Sequence, residues 1–224
     1  MSVLCIVAHP DDEVLGVGGT LARHAADGDE VHICILSDGV TSRYDDTDAA
    51  DTEIQQRRQR AKQAADTLGA TVSLHGFPDN CFDTVPLLDI VQTIEAEVAE
   101  NNPDIIYTHH YGDLNIDHEL TCRAVTTAAR PLKDSGVERV FAFETLSATE
   151  WSVPSPDNSF HPQHFVTITD QLETKLDSLR IYEEELREPP HPRNVETVRQ
   201  NTRVWGAKVG SYAAEAFELI REVR

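Results

Sequence analysis

The chain has 224 residues, with 39 Asp and Glu against 19 Lys and Arg, a formal charge of −20 and 40% hydrophobic residues. That apolar share suffices for a buried core and the length fits one generous domain, which excludes a disordered or fibrous protein. The acid excess repels phosphate backbones and anionic membranes, so neither nucleic acid nor membrane is an expected partner. Only four basic residues are lysine (Lys62, Lys133, Lys175 and Lys208) and no run of five like charges occurs. Spread acid with lysine avoided points to a salt-adapted, haloarchaeal-type host rather than to an acidic tail.

In chain order, residues 3–8 form the first apolar, β-branched run, too short and too poorly flanked by basic residues for a secretion signal. Residues 30–36, 71–76, 104–108 and 139–144 repeat that strand character. Between these runs, residues 13–26, 51–68, 86–100 and 118–129 carry helical spacing, with Gly69 placed to end the second helix. Strands joined by crossover helices give right-handed βαβ units, so the expected fold is α/β: a Rossmann-like, doubly wound, mostly parallel sheet flanked by helices. Residues 147–162, with three prolines, read as a long loop, 164–169 as a further strand, and 171–187 and 195–209 as helices around the proline-rich 188–193. The expected organisation is a single domain over 1–224: a core over 1–146, then a loop, a strand and a helical C-terminal elaboration. Cys5, Cys34, Cys81 and Cys122 form no C-x-x-C pair and read as structural thiols of a cytoplasmic protein.

Ligands of such sheets bind beyond the carboxyl ends of the strands. There the sequence places Ala8-His9-Pro10-Asp11-Asp12-Glu13, then Ser37-Asp38-Gly39 with Arg43, Phe77-Pro78-Asp79-Asn80, and His109-His110-Tyr111-Gly112-Asp113-Leu114-Asn115-Ile116-Asp117-His118. His9, Asp12 and His118 supply two imidazoles and a carboxylate, a set that leaves an open position on a tetrahedral Zn²⁺ for water. The same set describes non-haem iron oxygenase sites. Asp11 is left over as a base, which hydrolysis needs and oxygenation does not. Gly16-Val17-Gly18-Gly19 lacks the G-x-G-x-x-G spacing and sits behind three acids, so it reads as close helix–sheet packing rather than as a nucleotide loop.

Ala8-His9-Pro10-Asp11-Asp12-Glu13 with Leu114-Asn115-Ile116-Asp117-His118 resembles the PIG-L/LmbE-like family of metal-dependent deacetylases. The resemblance extends to Asp38-Gly39 with Arg43, Gly76-Phe77-Pro78-Asp79-Asn80, Glu144 with Thr149-Glu150-Trp151, and Pro190-His191-Pro192-Arg193. It implies a Rossmann-like fold, zinc or another divalent ion as cofactor, and removal of N-acetyl groups from amino sugars or their conjugates. By position it implies His9, Asp12 and His118 as metal ligands and Asp11 as general base. Many members carry a histidine where this chain has Asn115, so an amide or another group must meet the oxyanion. His191, presented by a stiff proline-bounded segment, is the expected replacement, in its own chain or across a homo-oligomer, with Arg193 beside it. Asp117 is expected to orient a ligand histidine. Arg43 is expected to bind substrate, and Tyr111 with His109, His110 and Asp113 to line the cleft rim. Trp151 is a candidate for stacking on a sugar ring. His24, His32, His75, His161 and His164 show no coordination pattern and read as structural. The alternatives are a noncatalytic sugar- or nucleotide-binding module and a metal-dependent phosphoesterase.

Overall fold

The computed structural model describes residues 1–43, 47–132, 136–156 and 158–223. Among these, seven strands form one sheet: β1 (Ser2–Val7), β2 (Glu30–Ser37), β3 (Thr71–Phe77), β4 (Ile105–His109), β5 (Arg139–Phe143), β6 (His164–Thr167) and β7 (Ala214–Glu222). Their spatial order is β3-β2-β1-β4-β5-β7-β6. The first five strands run parallel, and β7 lies antiparallel to both β5 and β6. The helices are α1 (Asp12–Ala26), α2 (Thr47–Leu68), α3 (Leu87–Asn101), α4 (Ile116–Ala128), α5 (Leu172–Ile181) and α6 (Val195–Lys208).

Strand alternation divides the core into two layers. Val3, Cys5 and Val7 of β1 face Val14, Val17 and Leu21 of α1 and Leu172, Leu176 and Leu179 of α5, while Leu4 and Ile6 face Ile90 and Ile94 of α3 and Val125 of α4. Covering on both faces explains why β1 is apolar throughout rather than alternating. The glycines of α1 allow its close seating, as expected: a Cβ at Gly16 would lie 2.1 Å from the Phe143 ring, and one at Gly19 would lie 2.5 Å from Ile168. Strand order reverses between β1 and β4, and the crevice beyond their carboxyl ends is the switch point at which such sheets bind ligands.

The C-terminal part holds the strand and the two helices expected of it and adds one strand that was not. Residues 214–222 form β7, inserted between β5 and β6. Ala, Glu and Leu favour helices, but pairing on both edges and burial of Ala214, Ala216 and Phe217 override that preference. Glu215 of β7 is buried and accepts from the Gly19 and Thr20 amides of α1 at 3.0 and 2.7 Å, while Lys175 donates to Glu215 at 2.5 Å and to the Leu15 carbonyl at 2.8 Å. The helix expected over 171–187 stops at Ile181 and passes into a 3-10 turn at Glu183–Glu185, which turns Tyr182 and Glu185 inward. The loop over 147–162 contains a 3-10 turn at Thr149–Trp151; Asp157 in it lies outside the described residues.

Candidate active site and metal centre

The turn from β1 into α1 presents the site. His9 leaves the strand, and Asp11 takes φ 107°, a left-handed conformation that costs a non-glycine residue about 1–3 kcal/mol. The turn is held from both sides: Asp11 donates its N–H to Glu13 Oε2 at 3.0 Å, and Tyr182 donates its hydroxyl to Glu13 Oε1 at 2.7 Å. The expense buys position, because Asp11 and Asp12 project from adjacent residues into one crevice.

His9 Nδ1, Asp12 Oδ2 and His118 Nε2 lie 3.3, 3.3 and 3.2 Å apart. Ligands about 2.0–2.1 Å from a tetrahedral cation are separated by about 3.3 Å, so the donor set and its spacing both fit a zinc-like ion. A carboxylate lies behind each imidazole. His9 Nε2 lies 2.9 Å from Asp117 Oδ2 and 3.3 Å from Asp79 Oδ1. His118 Nδ1 lies 3.2 Å from Asp113 Oδ1, whose other oxygen accepts from Thr149 at 2.6 Å. These contacts turn the remaining ring nitrogens toward the triad.

Electrostatics tell the same story. Burial opposes charge on both histidines, yet hydrogen bonds and charge from Asp117 and Asp12 push His9 up to about 10, and Asp12 with Asp113 pushes His118 up to about 9. Burial likewise opposes ionisation of Asp12, but the charge and hydrogen bond of His118, with a hydrogen bond from His9, hold its carboxyl well below the usual range. A site that draws protons this strongly is one that also favours a cation.

His109 and His110 are fully buried rather than on the rim. His109 Nε2 accepts from the Ala8 amide at 3.0 Å and its ring stacks on His118 with centroids 3.9 Å apart. Burial and the neighbouring His118 push it down to about 3, so it stays neutral and packs against the His118 ring. Asp113 is also buried, under His118, and Tyr111 packs on the His110 ring.

Asp11 is 2% exposed, and burial raises its carboxyl above the ordinary range, to about 6, while Arg193 works in the opposite direction. Arg193 donates to Asp11 Oδ2 at 3.2 Å and to Ser147 Oγ at 3.2 Å. The proline-rich segment is therefore not the extended presenter expected. Pro189–Pro190 is cis, and hydrogen bonds from His191 N–H to the Glu188 carbonyl and from Asn194 N–H to the Pro192 carbonyl fold 188–194 into turns. Arg193 is the residue this segment delivers to Asp11, within the same chain. His191 Nδ1 accepts the Arg193 amide at 3.0 Å, leaving the hydrogen on Nε2, and its ring meets Trp151 edge-on at 5.4 Å.

Asn115 caps α4, its Oδ1 accepting the Asp117 amide at 2.9 Å, and donates one amide hydrogen to Asn80 Oδ1 at 3.1 Å. Arg43 pairs with Glu185 at 2.9 Å and with Glu53 at 3.5 Å and stays partly exposed at the mouth. Glu185 is buried among Arg43, Arg57 and Arg193, a cluster whose members lie too far apart in the chain to be joined by reading it. Asp113 and Arg193 acquire their roles in the same long-range way. Replacing Asp113 by Asn should weaken divalent-metal affinity about 10–100-fold, read by competition with a chelating dye; unchanged affinity would remove Asp113 from that role.

A spare buried carboxylate beside a triad suited to a cation, at the switch point of a Rossmann-like sheet, defines a hydrolase. The PIG-L family profile, described as GlcNAc-PI de-N-acetylase, matches residues 4–129, and the chain belongs to that family. It is 29% identical over 185 residues to the uncharacterized deacetylase YaiS of Escherichia coli (strain K12), covering 80% of this chain and 88% of that protein. It is 27% identical over 207 residues to the 1D-myo-inositol 2-acetamido-2-deoxy-alpha-D-glucopyranoside deacetylase of Thermomonospora curvata, covering 76% of this chain and 69% of the other. The fold matches that of N,N'-diacetylchitobiose deacetylase from Pyrococcus horikoshii with a TM-score of 0.77 at 20% identity, over 98% of this chain and 83% of that one.

Proposed function

We propose that the protein hydrolyses the acetamide of an N-acetylglucosamine-type sugar or its conjugate, with His9, Asp12 and His118 holding a divalent cation, zinc in our reading. The observation that carries this is the triad's tetrahedral spacing with Asp11 left free beside it. Relatives whose names specify acetamido-sugar and diacetylchitobiose deacetylation support the substrate class. Bound there, the cation supplies a Lewis acid and lowers the pKa of water toward neutrality. Asp11 takes the proton of the attacking water and returns it to the departing amine nitrogen, leaving acetate and a free amino sugar. Arg193 fixes the Asp11 carboxylate and favours its ionised form. Asp117 and Asp113 keep His9 and His118 aimed, and Arg43 stands at the mouth to meet the sugar or its substituent. Equal yields of acetate and amine from a panel of N-acetylated sugars test the reaction; phosphate release from sugar phosphates without acetate would establish the phosphoesterase alternative instead.

Charge developing on the acetamide oxygen needs a donor. The tautomer of His191, with hydrogen on Nε2, and the second amide hydrogen of Asn115 are suited to it, and the Arg193–Asp11 contact supports His191 acting within its own chain. His191→Ala should lower kcat about 10²–10³-fold with metal content unchanged; full turnover in that variant would exclude the role.

Asp11 must be ionised to accept a proton, so activity rises with pH through its pKa. With burial setting that value near about 6 and a bound cation lowering it further, the acid limb of kcat/KM should fall at or below pH 6. Removing a neighbouring positive charge raises a carboxyl pKa, so Arg193→Gln should move the limb to higher pH. A limb that stays in place would show that Arg193 does not govern the base.

A further inference from the structure

A second cluster of metal-binding side chains lies on the α3 face of the sheet, away from the crevice. Residues two apart in a strand share a face, which puts His32 with Cys34 on β2 and Ser73 with His75 on β3; the parallel register pairs Cys34 with Ser73. Glu97 of α3 comes down onto this polar spot at the edge of an otherwise apolar layer. Donor atoms of Cys34, His75 and Glu97 all lie within 4.8 Å of one another. His75 Nε2 is 2.8 Å from Glu97 Oε1, and His32 Nε2 is 3.4 Å from Glu97 Oε2. Cys34 is fully buried, whereas the His75 side chain keeps 30% of its surface exposed, which gives an ion a way in.

We propose that Cys34, His75 and Glu97 form a second divalent transition-metal site, with His32 alongside on Glu97. A thiolate, an imidazole and one carboxylate suit zinc-like ions, and hard-cation sites do without thiolate. The three donors come from β2, β3 and α3, which a bound ion would join, and that ion is distinct from the one in the crevice. Binding releases the Cys34 thiol proton to solvent. The proposal stands independently of the reaction assigned to the crevice.

Sulfur distinguishes the two sites. His9, Asp12 and His118 contain none, so cobalt(II) titrated into the metal-free full chain gives a thiolate-to-cobalt charge-transfer band only from the Cys34 site. The expected result is two equivalents of cobalt per chain with that band. His118→Ala should lose one equivalent and keep the band; Cys34→Ser should lose the band and keep the crevice equivalent; Cys81→Ser should keep both. Circular dichroism of each variant monitors the fold, and where Cys34→Ser does not fold, His75→Ala must lose the band in a folded chain for the proposal to stand. One equivalent without a thiolate band, or a band that survives Cys34→Ser, would overturn the proposal.

Discussion

Asp11→Asn is expected to lower turnover by about 10²–10⁴-fold while leaving the metal in place. The substitution removes the proton acceptor and little else. Asparagine tolerates the left-handed φ of 107° that most residues resist, and its amide oxygen still accepts from Arg193. Alanine would be a poorer test, since it combines loss of the base with backbone strain. Single-turnover rates with N-acetylated substrate, alongside metal analysis of the purified variant, separate the effects. Near-normal turnover would refute Asp11 as the base, whereas loss of metal along with activity would show that Asp11 belongs to the coordination sphere instead.

His118→Ala is expected to abolish activity by emptying the triad. The side chain is 2% exposed, faces both His9 and Asp12, and carries the main positive influence on the Asp12 carboxylate. Its loss removes a ligand and leaves Asp12 with less compensation for its burial. Metal affinity should therefore fall by more than the about 10–100-fold expected of a group that only orients a ligand. Calorimetric titration of metal into the variant measures this directly; affinity within 10-fold of wild type would place the third ligand elsewhere. The metal-free variant should also unfold at lower denaturant than metal-free wild type.

Features set by local pattern were legible in the sequence, and features set by distant contacts were not. β1, β2, β4 and β5 are mostly buried apolar runs, and the half-exposed edge strand β3 still begins on β-branched residues, so composition marks all five within a residue or two. The convergence of His9, Asp12 and His118 was legible because β1, β4 and the switch-point rule bring the ends of two short motifs together. β7 was not, because its Ala, Glu and Leu residues carry helix preference and only the gap between β5 and β6 makes them a strand. The prolines pointed to His191, but it is Arg193, 182 residues from Asp11 in the chain, that the folded segment sets against the Asp11 carboxylate. His75 showed no coordination pattern because Cys34 and Glu97 come from another strand and a helix. The charge of −20 divides similarly: Asp11, Asp12, Asp79, Asp113 and Asp117 are buried around the site, Glu13, Glu97, Glu185 and Glu215 are buried in other pairings, and most of the other acids stay toward the surface.

The most direct test of a metal-dependent deacetylase is acetate release from an N-acetylglucosamine conjugate by the wild-type chain, before and after chelation, at low and at multimolar salt. Release that disappears on complete metal removal and returns with added Zn²⁺ or another divalent ion is the expected result; undiminished release from metal-free protein, or a loaded triad that frees no acetate from any N-acetylated sugar, would contradict it.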